Sequence, residues 1–200
     1  FVEWSKGIAR HFDGEVIEAG ACLETAVQIF NRLGRRDLSD RVGLLLVDLY
    51  GSSGDLPKAR RLSSSLNRSF LERGDQSRAA LALAALAGAE DARDRVARAG
   101  DLWRQSLNGL NPSSFSAQII QGNLANVAMV EGRLESAIRG HQKIAESAAS
   151  QGLDRLELQA ETNLAEAEFL AGRNDSALRR WHSVVERARV GGHRFEESVA

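Results

Sequence analysis

An alanine recurs at Ala19, Ala59, Ala99, Ala137 and Ala177, at spacings of 40, 40, 38 and 40 residues. Five residues before each stands Gly14, Gly54, Asp94, Gly132 or Gly172. A second ladder, Gly34, Gly74, Gly152 and Gly192, runs between the first set. A fixed period in this range signals stacked supersecondary units rather than one globular core. Each unit then buries its apolar face only against its neighbours. Arrays of this kind bind partners far more often than they catalyse. The repeat therefore constrains what sort of object the chain is without naming a partner.

Each unit reads as a helix, a tight turn, a second helix and a glycine stop. The expected units are 1–34, 35–74, 75–112, 113–152 and 153–192, with a sixth beginning at 193–200. His193, Arg194 and Phe195 follow Gly192 much as Asp154 and Arg155 follow Gly152. The chain is thus expected to be a single array cut from a larger protein. Phe1, Trp4 and Phe195 are the apolar residues such cuts would uncover. The spacing predicts helices near 2–12, 15–33, 39–52, 56–73, 76–89, 91–108, 114–131, 134–151, 154–171 and 174–190. Only two prolines, Pro57 and Pro112, and one tyrosine occur, which suits helices and disfavours a β fold.

Local punctuation supports these boundaries. Ser39 reads as an N-cap of the third helix, and Asp55 as that of the fourth, with Pro57 in its first turn, where a missing N–H costs nothing. Gly74 supplies a left-handed stop. Asn111-Pro112-Ser113 reads as a turn, with Ser113 or Ser114 capping the next helix. The third unit fits worst. Asp94 replaces glycine and Gly88 would end its first helix early, so a longer or bent connection is expected there. Alanine at a helix crossing lets two backbones approach while larger residues interlock around it. Four residues past the alanine ladder, Trp103 and Trp181 are expected to wedge into the next hairpin.

These residues resemble tetratricopeptide repeats. Asn123-Leu124-Ala125, Gly132 and Ala137 match the family pattern, as do Asn163-Leu164-Ala165, Gly172, Ala177 and Trp181. Leu46, Tyr50, Gly54 and Ala59 make a third match. Forty-residue units with an Asn-Leu-Ala core resemble those of kinesin light chains and of arrays on bacterial signalling proteins. The resemblance implies an all-α, right-handed superhelical solenoid of about five antiparallel helix-turn-helix hairpins. Departures from the pattern are Glu168 and Ala128, in place of an aromatic on the first helix, and His141 and Ser63, in place of one on the second.

No catalytic or cofactor motif is present: no phosphate loop, dinucleotide fingerprint, His-Glu-x-x-His, Cys-x-x-Cys or nucleophile elbow. An enzyme is not expected, nor a cofactor or metal. His11, His141, His182 and His193 fall in separate units. His141 takes the packing slot that Trp181 takes one unit later, and reads as a core-edge histidine. Cys22, the single cysteine, excludes an internal disulfide, suits a reducing compartment and reads as a small buried hydrophobe. A net charge of −1 offers no basic excess for nucleic acid. Arg93, Arg95, Arg98 and Arg104 read as a solvated face paired with Asp91, Asp94 and Asp101. The longest small-apolar run, Ala79 to Ala89, is too short to span a bilayer. The bias of 23 arginines against 3 lysines points to a GC-rich bacterial source, and a cytoplasmic location is expected.

The family resemblance implies that the first helix of each hairpin lines a concave groove. It puts Asn123, Asn126, Thr162, Asn163 and Glu166 on that wall, and Arg41 and Asp48 in the second unit. Asn123 and Asn163 occupy the same place in consecutive repeats. A side-chain amide offers both donor and acceptor, so a row of amides can hold an extended peptide by its backbone. The same asparagines could instead satisfy turn or interhelix carbonyls. Two functions follow as expectations. One is a protein- or peptide-binding scaffold in a bacterial multidomain regulatory or signalling protein. The other is a structural array that clamps a fused protease, ATPase or kinase domain of the same chain, or mediates self-assembly.

Overall fold

The computed structural model describes residues 1–191. It contains α1 (Val2–Phe12), α2 (Val16–Arg32), α3 (Arg36–Ser53), α4 (Leu56–Glu72), α5 (Gln76–Asp91), α6 (Val96–Leu107), α7 (Phe115–Val130), α8 (Leu134–Gln151), α9 (Asp154–Leu170) and α10 (Asn174–Gly191). No strand occurs among the described residues. The helices pair as antiparallel hairpins, so the fold is an all-α helical repeat. Gly192, the expected sixth unit and Phe195 lie outside the described residues.

The helices form two compact units, Phe1–Asn111 and Pro112 onward. In the first, each of α1 to α6 packs on its chain neighbour, and α3 also packs on α5. In the second, α7 to α10 pack in sequence, and α7 also meets α9. Thus α3 touches its own partner α4, the preceding helix α2 and the first helix of the next hairpin, α5.

Both ladders act through one backbone device. Gly14, Gly34, Gly54, Gly74, Gly132, Gly152 and Gly172 all adopt positive φ between 66° and 90°. Glycine does this without steric cost. In each of these turns except that at Gly54, the N–H of the residue after the glycine then reaches back to a carbonyl five residues earlier. Arg35 N donates to Phe30 O at 2.8 Å, Arg133 N to Ala128 O at 2.8 Å and Arg173 N to Glu168 O at 2.9 Å. This satisfies carbonyls that a helix end leaves unpaired and turns the chain straight into the next helix.

That turn accounts for two departures from expectation. α3 starts at Arg36, and Ser39 is buried inside it rather than capping it. The N–H groups of Leu38 and Ser39 already donate to Arg35 O, because the left-handed Gly34 leaves no stretch of linker to fill. The third connection is neither long nor bent. α5 runs through Gly88 to Asp91, and Asp94 takes the left-handed conformation itself, at φ 56°. Short polar residues tolerate it better than other L-residues. Arg95 N donates to Glu90 O at 3.1 Å, as in the glycine-bearing turns.

The caps at Asp55, Asp75 and Ser114 are formed. Asp55 Oδ1 accepts from Lys58 N at 3.1 Å, Asp75 Oδ1 from Arg78 N at 3.0 Å and Ser114 Oγ from Ala117 N at 3.3 Å. The Arg78 backbone N–H, with its guanidinium, holds the Asp75 carboxyl below the usual range.

All five ladder alanines are fully enclosed, each at 0% exposure. Around them interlock Leu23, Phe30, Val42 and Leu46 in the first unit, and Ile138, Leu164, Ile144 and Leu156 in the second. The α7–α8 crossing is tighter still. A Cβ placed on Gly140 would lie 2.8 Å from the Cβ of Ala125. Trp103 is buried. Trp181 is half-buried and lies against Phe169 of its own hairpin, at 5.8 Å between ring centres; the hairpin that would follow it lies outside the described residues. Cys22 is half-buried rather than enclosed. Phe1 is exposed, whereas Trp4 packs edge-on to Phe30.

Enclosure of the ladder makes enlargement costly. Ala137→Leu or Ala177→Leu should lose roughly 1–3 kcal/mol through overpacking. Arg139→Ala, on an exposed site, should change stability by less than about 0.5 kcal/mol. Denaturant melts of the three variants distinguish these outcomes, and equal small effects would contradict the packing.

Candidate functional site

The second unit holds a cavity between α7 and α9, floored by α8. Its lining from α7 is Gln118, Ile119, Gly122, Asn123 and Asn126; from α8, His141 and Ile144; from α9, Leu156, Gln159, Ala160 and Asn163. On α7 and α9 these positions recur at helical spacing, so each helix presents one face. The cavity is small, about 30 Å³, room for about one or two waters or one small polar group. Gln118, His141, Ile144, Leu156 and Ala160 are buried, while Asn123 and Asn163 are half-buried and Gln159 is exposed. The floor is therefore enclosed and the rim open.

The polar atoms at this cavity are largely without partners. Gln118 is 2% exposed; its Nε2 donates to Ser113 O at 3.2 Å, but its Oε1 is buried and unpaired. Asn126 Oδ1 and both ring nitrogens of His141 are also buried and unpaired. Each such atom costs about 1–3 kcal/mol unless something bonds to it. Among the described residues the side-chain amides of Asn123 and Asn163 have no hydrogen-bond partner either. They do not satisfy turn or interhelix carbonyls.

The other residues expected on the wall do not line this cavity. Thr162 is buried, and its hydroxyl donates to Leu158 O of its own helix at 2.9 Å. Glu166 is exposed, one turn beyond Asn163, and does not line the cavity. Arg41 and Asp48 belong to the first unit, exposed on one face of α3. The opposite face of α3 borders a broad groove of about 890 Å³, shared with α2 and α4. In that groove Tyr50 Oη donates to Glu24 Oε1 at 2.6 Å, and burial pushes the phenol up. Ser69 Oγ and Arg73 Nη2 bind Asp40 Oδ2 at 2.7 and 2.6 Å. Its acids are thus paired within the protein. Among the described residues no group of three or more His, Cys, Asp or Glu is placed to hold a metal, and no helix is long and apolar enough to cross a membrane.

No family model matches the sequence, and no curated protein matches it. Solved structures do. A kinesin-light-chain-type protein with nearly identical TPR-like repeats from Podosopora anserina superposes with a TM-score of 0.70, at 19% identity over 94% of this chain and 95% of that one. The fold is that of a tetratricopeptide-like repeat. A signal transduction ATPase with numerous domains and a tetratricopeptide repeat sensor, from Pyrococcus horikoshii, gives a TM-score of 0.80 at 15% identity. The match covers 98% of this chain and 31% of that one. A Rap protein complexed with Competence and Sporulation Factor gives 0.78 at 11% identity, over 94% of this chain and 53% of that one.

In this tetratricopeptide-like frame, three polar cavity residues, Gln118, Gln159 and His141, lie outside the wall expected from the sequence. Gln118 and Gln159 carry amides five and four residues before Asn123 and Asn163, a spacing that was visible. His141 comes from α8, the second helix of its hairpin, and no pattern on that helix tells packing from lining. Its imidazole is 1% exposed, and burial pushes its pKa down to about 4. It is neutral at pH 7, with one nitrogen a donor and the other an acceptor.

The depressed value has a pH signature. The unfolded imidazole titrates near 6.5, so the unfolded chain takes up this proton first. The stability it contributes is full above about pH 6.5 and is lost as pH falls toward about 4, by roughly 3 kcal/mol. His141→Leu should remove that slope. Chemical denaturation of both proteins between these pH values checks it, and parallel curves would contradict a buried neutral imidazole.

Proposed function

We propose that the chain is a protein- or peptide-binding helical-repeat scaffold, with its contact wall on α7 and α9. The carrying observation is the pair of unpartnered amides, Asn123 and Asn163, one repeat apart at the rim of one cavity. An extended peptide crossing that rim presents carbonyls and N–H groups that these amides can bond. The Rap protein complexed with Competence and Sporulation Factor supports a repeat array of this fold as the holder of a partner. The wider setting we propose is a bacterial, cytoplasmic, multidomain regulatory protein. Support comes from the arginine bias and from the ATPase in which a comparable array is a sensor within a longer chain.

A second reading, an array that clamps a fused effector domain or self-assembles, draws on a different surface. Phe12 and Ile17, at the tip of the first hairpin, are 83% and 81% exposed, an apolar tip that a neighbouring domain could cover.

Panning a displayed random-peptide library against the protein, and titrating the enriched peptides, tests the first reading. Asn123→Ala with Asn163→Ala should weaken those peptides by roughly 1–3 kcal/mol, because two hydrogen bonds are lost. The thermal midpoint should stay level, because both amides face solvent in the free protein. Unchanged affinity with a normal melt would remove both residues from the site. Loss of stability would make them structural.

A further inference from the structure

We infer that the cavity between α7 and α9 is a side-chain pocket selective for a primary carboxamide, the head group of glutamine or asparagine in a bound peptide. This rests on the scaffold reading above and assigns its specificity.

The argument is one of donors and acceptors. Gln118 Oε1 and Asn126 Oδ1 are buried acceptors without a donor. The Gln118 orientation is fixed, because its Nε2 donates to Ser113 O. His141, 1% exposed and also unpartnered, adds one donor and one acceptor. A carboxamide supplies two N–H donors and one carbonyl acceptor, the complement of two amide oxygens and an imidazole N–H. The lining carries no Asp, Glu, Lys or Arg. A carboxylate, ammonium or guanidinium would lose its water there without a counter-charge. An aliphatic side chain would leave the four buried atoms unpaired, which is how polar sites reject isosteres lacking the polar group. The cavity volume of about 30 Å³ suits a head group, not a whole residue. Ile144 and Leu156 supply the apolar wall that a methylene stem would touch. There is room beside Gly122, where a Cβ would meet only Ile144 Cδ1, at 3.6 Å.

The first test uses a fragment. Propanamide, the glutamine head group with its stem, is titrated into the protein while the His141 imidazole and the Gln118 and Asn126 amides are followed by nitrogen-15 NMR. A saturable shift with propanamide, absent with propanoate and abolished in Gly122→Met, is expected. Gly122→Met fills that room without removing a polar group, and Gln118→Leu provides a second variant should either fold poorly. No saturable shift, or equal shifts with propanoate, would mean that the cavity holds only water and would overturn the inference. The second test separates this inference from the scaffold reading. Library peptides bound by the wild type should carry Gln or Asn at one position, and replacing it by Glu or Met should weaken binding by about tenfold or more. Peptides that depend on Asn123 and Asn163 but lack that preference would sink the pocket and leave the scaffold standing. If no peptide depends on those asparagines, both fail.

Discussion

Everything in this chain depends on how closely two helices pass at the ladder alanines. Each lies five residues after a left-handed residue, and each is completely enclosed. The left-handed turn sets the angle at which the second helix returns, and the alanine sets the distance. With both in place, leucine, isoleucine and phenylalanine side chains can interlock on either side. The third unit shows that the constraint is geometric. Asp94 has no glycine's freedom, yet it takes a left-handed φ of 56°, and Ala99 is fully enclosed like the other ladder alanines.

One position absorbs what the repeats do not share. Four residues before the left-handed residue stand Arg10, Tyr50, Glu90, Ala128 and Glu168. Each finds its own solution. Tyr50 bonds to Glu24. Glu90, fully buried, is gripped by Arg60 through two bonds at 2.7 and 3.0 Å, with Arg95 at 3.6 Å. Glu168 is held by Arg180 and by Ser176 Oγ at 3.0 Å. Two carboxylates thus replace the family's aromatic, each under an arginine that neutralises it. Such pairs add little net stability, but losing one partner leaves an uncompensated buried charge. The arginine-rich composition therefore has a structural use inside the repeats as well as on their surface.

The cavity between α7 and α9 follows from the same stacking. Where the first helices of adjacent hairpins diverge slightly, the helix beneath them becomes a floor. In the second unit that floor carries His141, where the neighbouring repeat carries Trp181. The smaller, polar ring leaves space and unpaired nitrogens, and the amides of Gln118, Asn126 and the two rim asparagines gather around it. The departure from the family pattern at His141 and the polar cavity are thus one fact.

Periodicity, the left-handed ladders and the caps at Asp55 and Ser114 were legible in the sequence because they act locally, within one turn or one helix end. They determine the all-α repeat and most helix boundaries. They mislead only where a local signal competes with the turn, as at Ser39 and Gly88. The site was legible in part. Asn123 and Asn163 stand out by their equal places in consecutive repeats. Thr162 and Glu166 could not be sorted, because α9 buries residues on several sides and shows little amphipathic asymmetry. A helix contacted on several sides has no single solvent face for a pattern to mark. Which amides share a cavity, and that a histidine from α8 lies beneath them, was decided only by tertiary packing, since residues on three helices meet there through contacts that no spacing along the chain encodes.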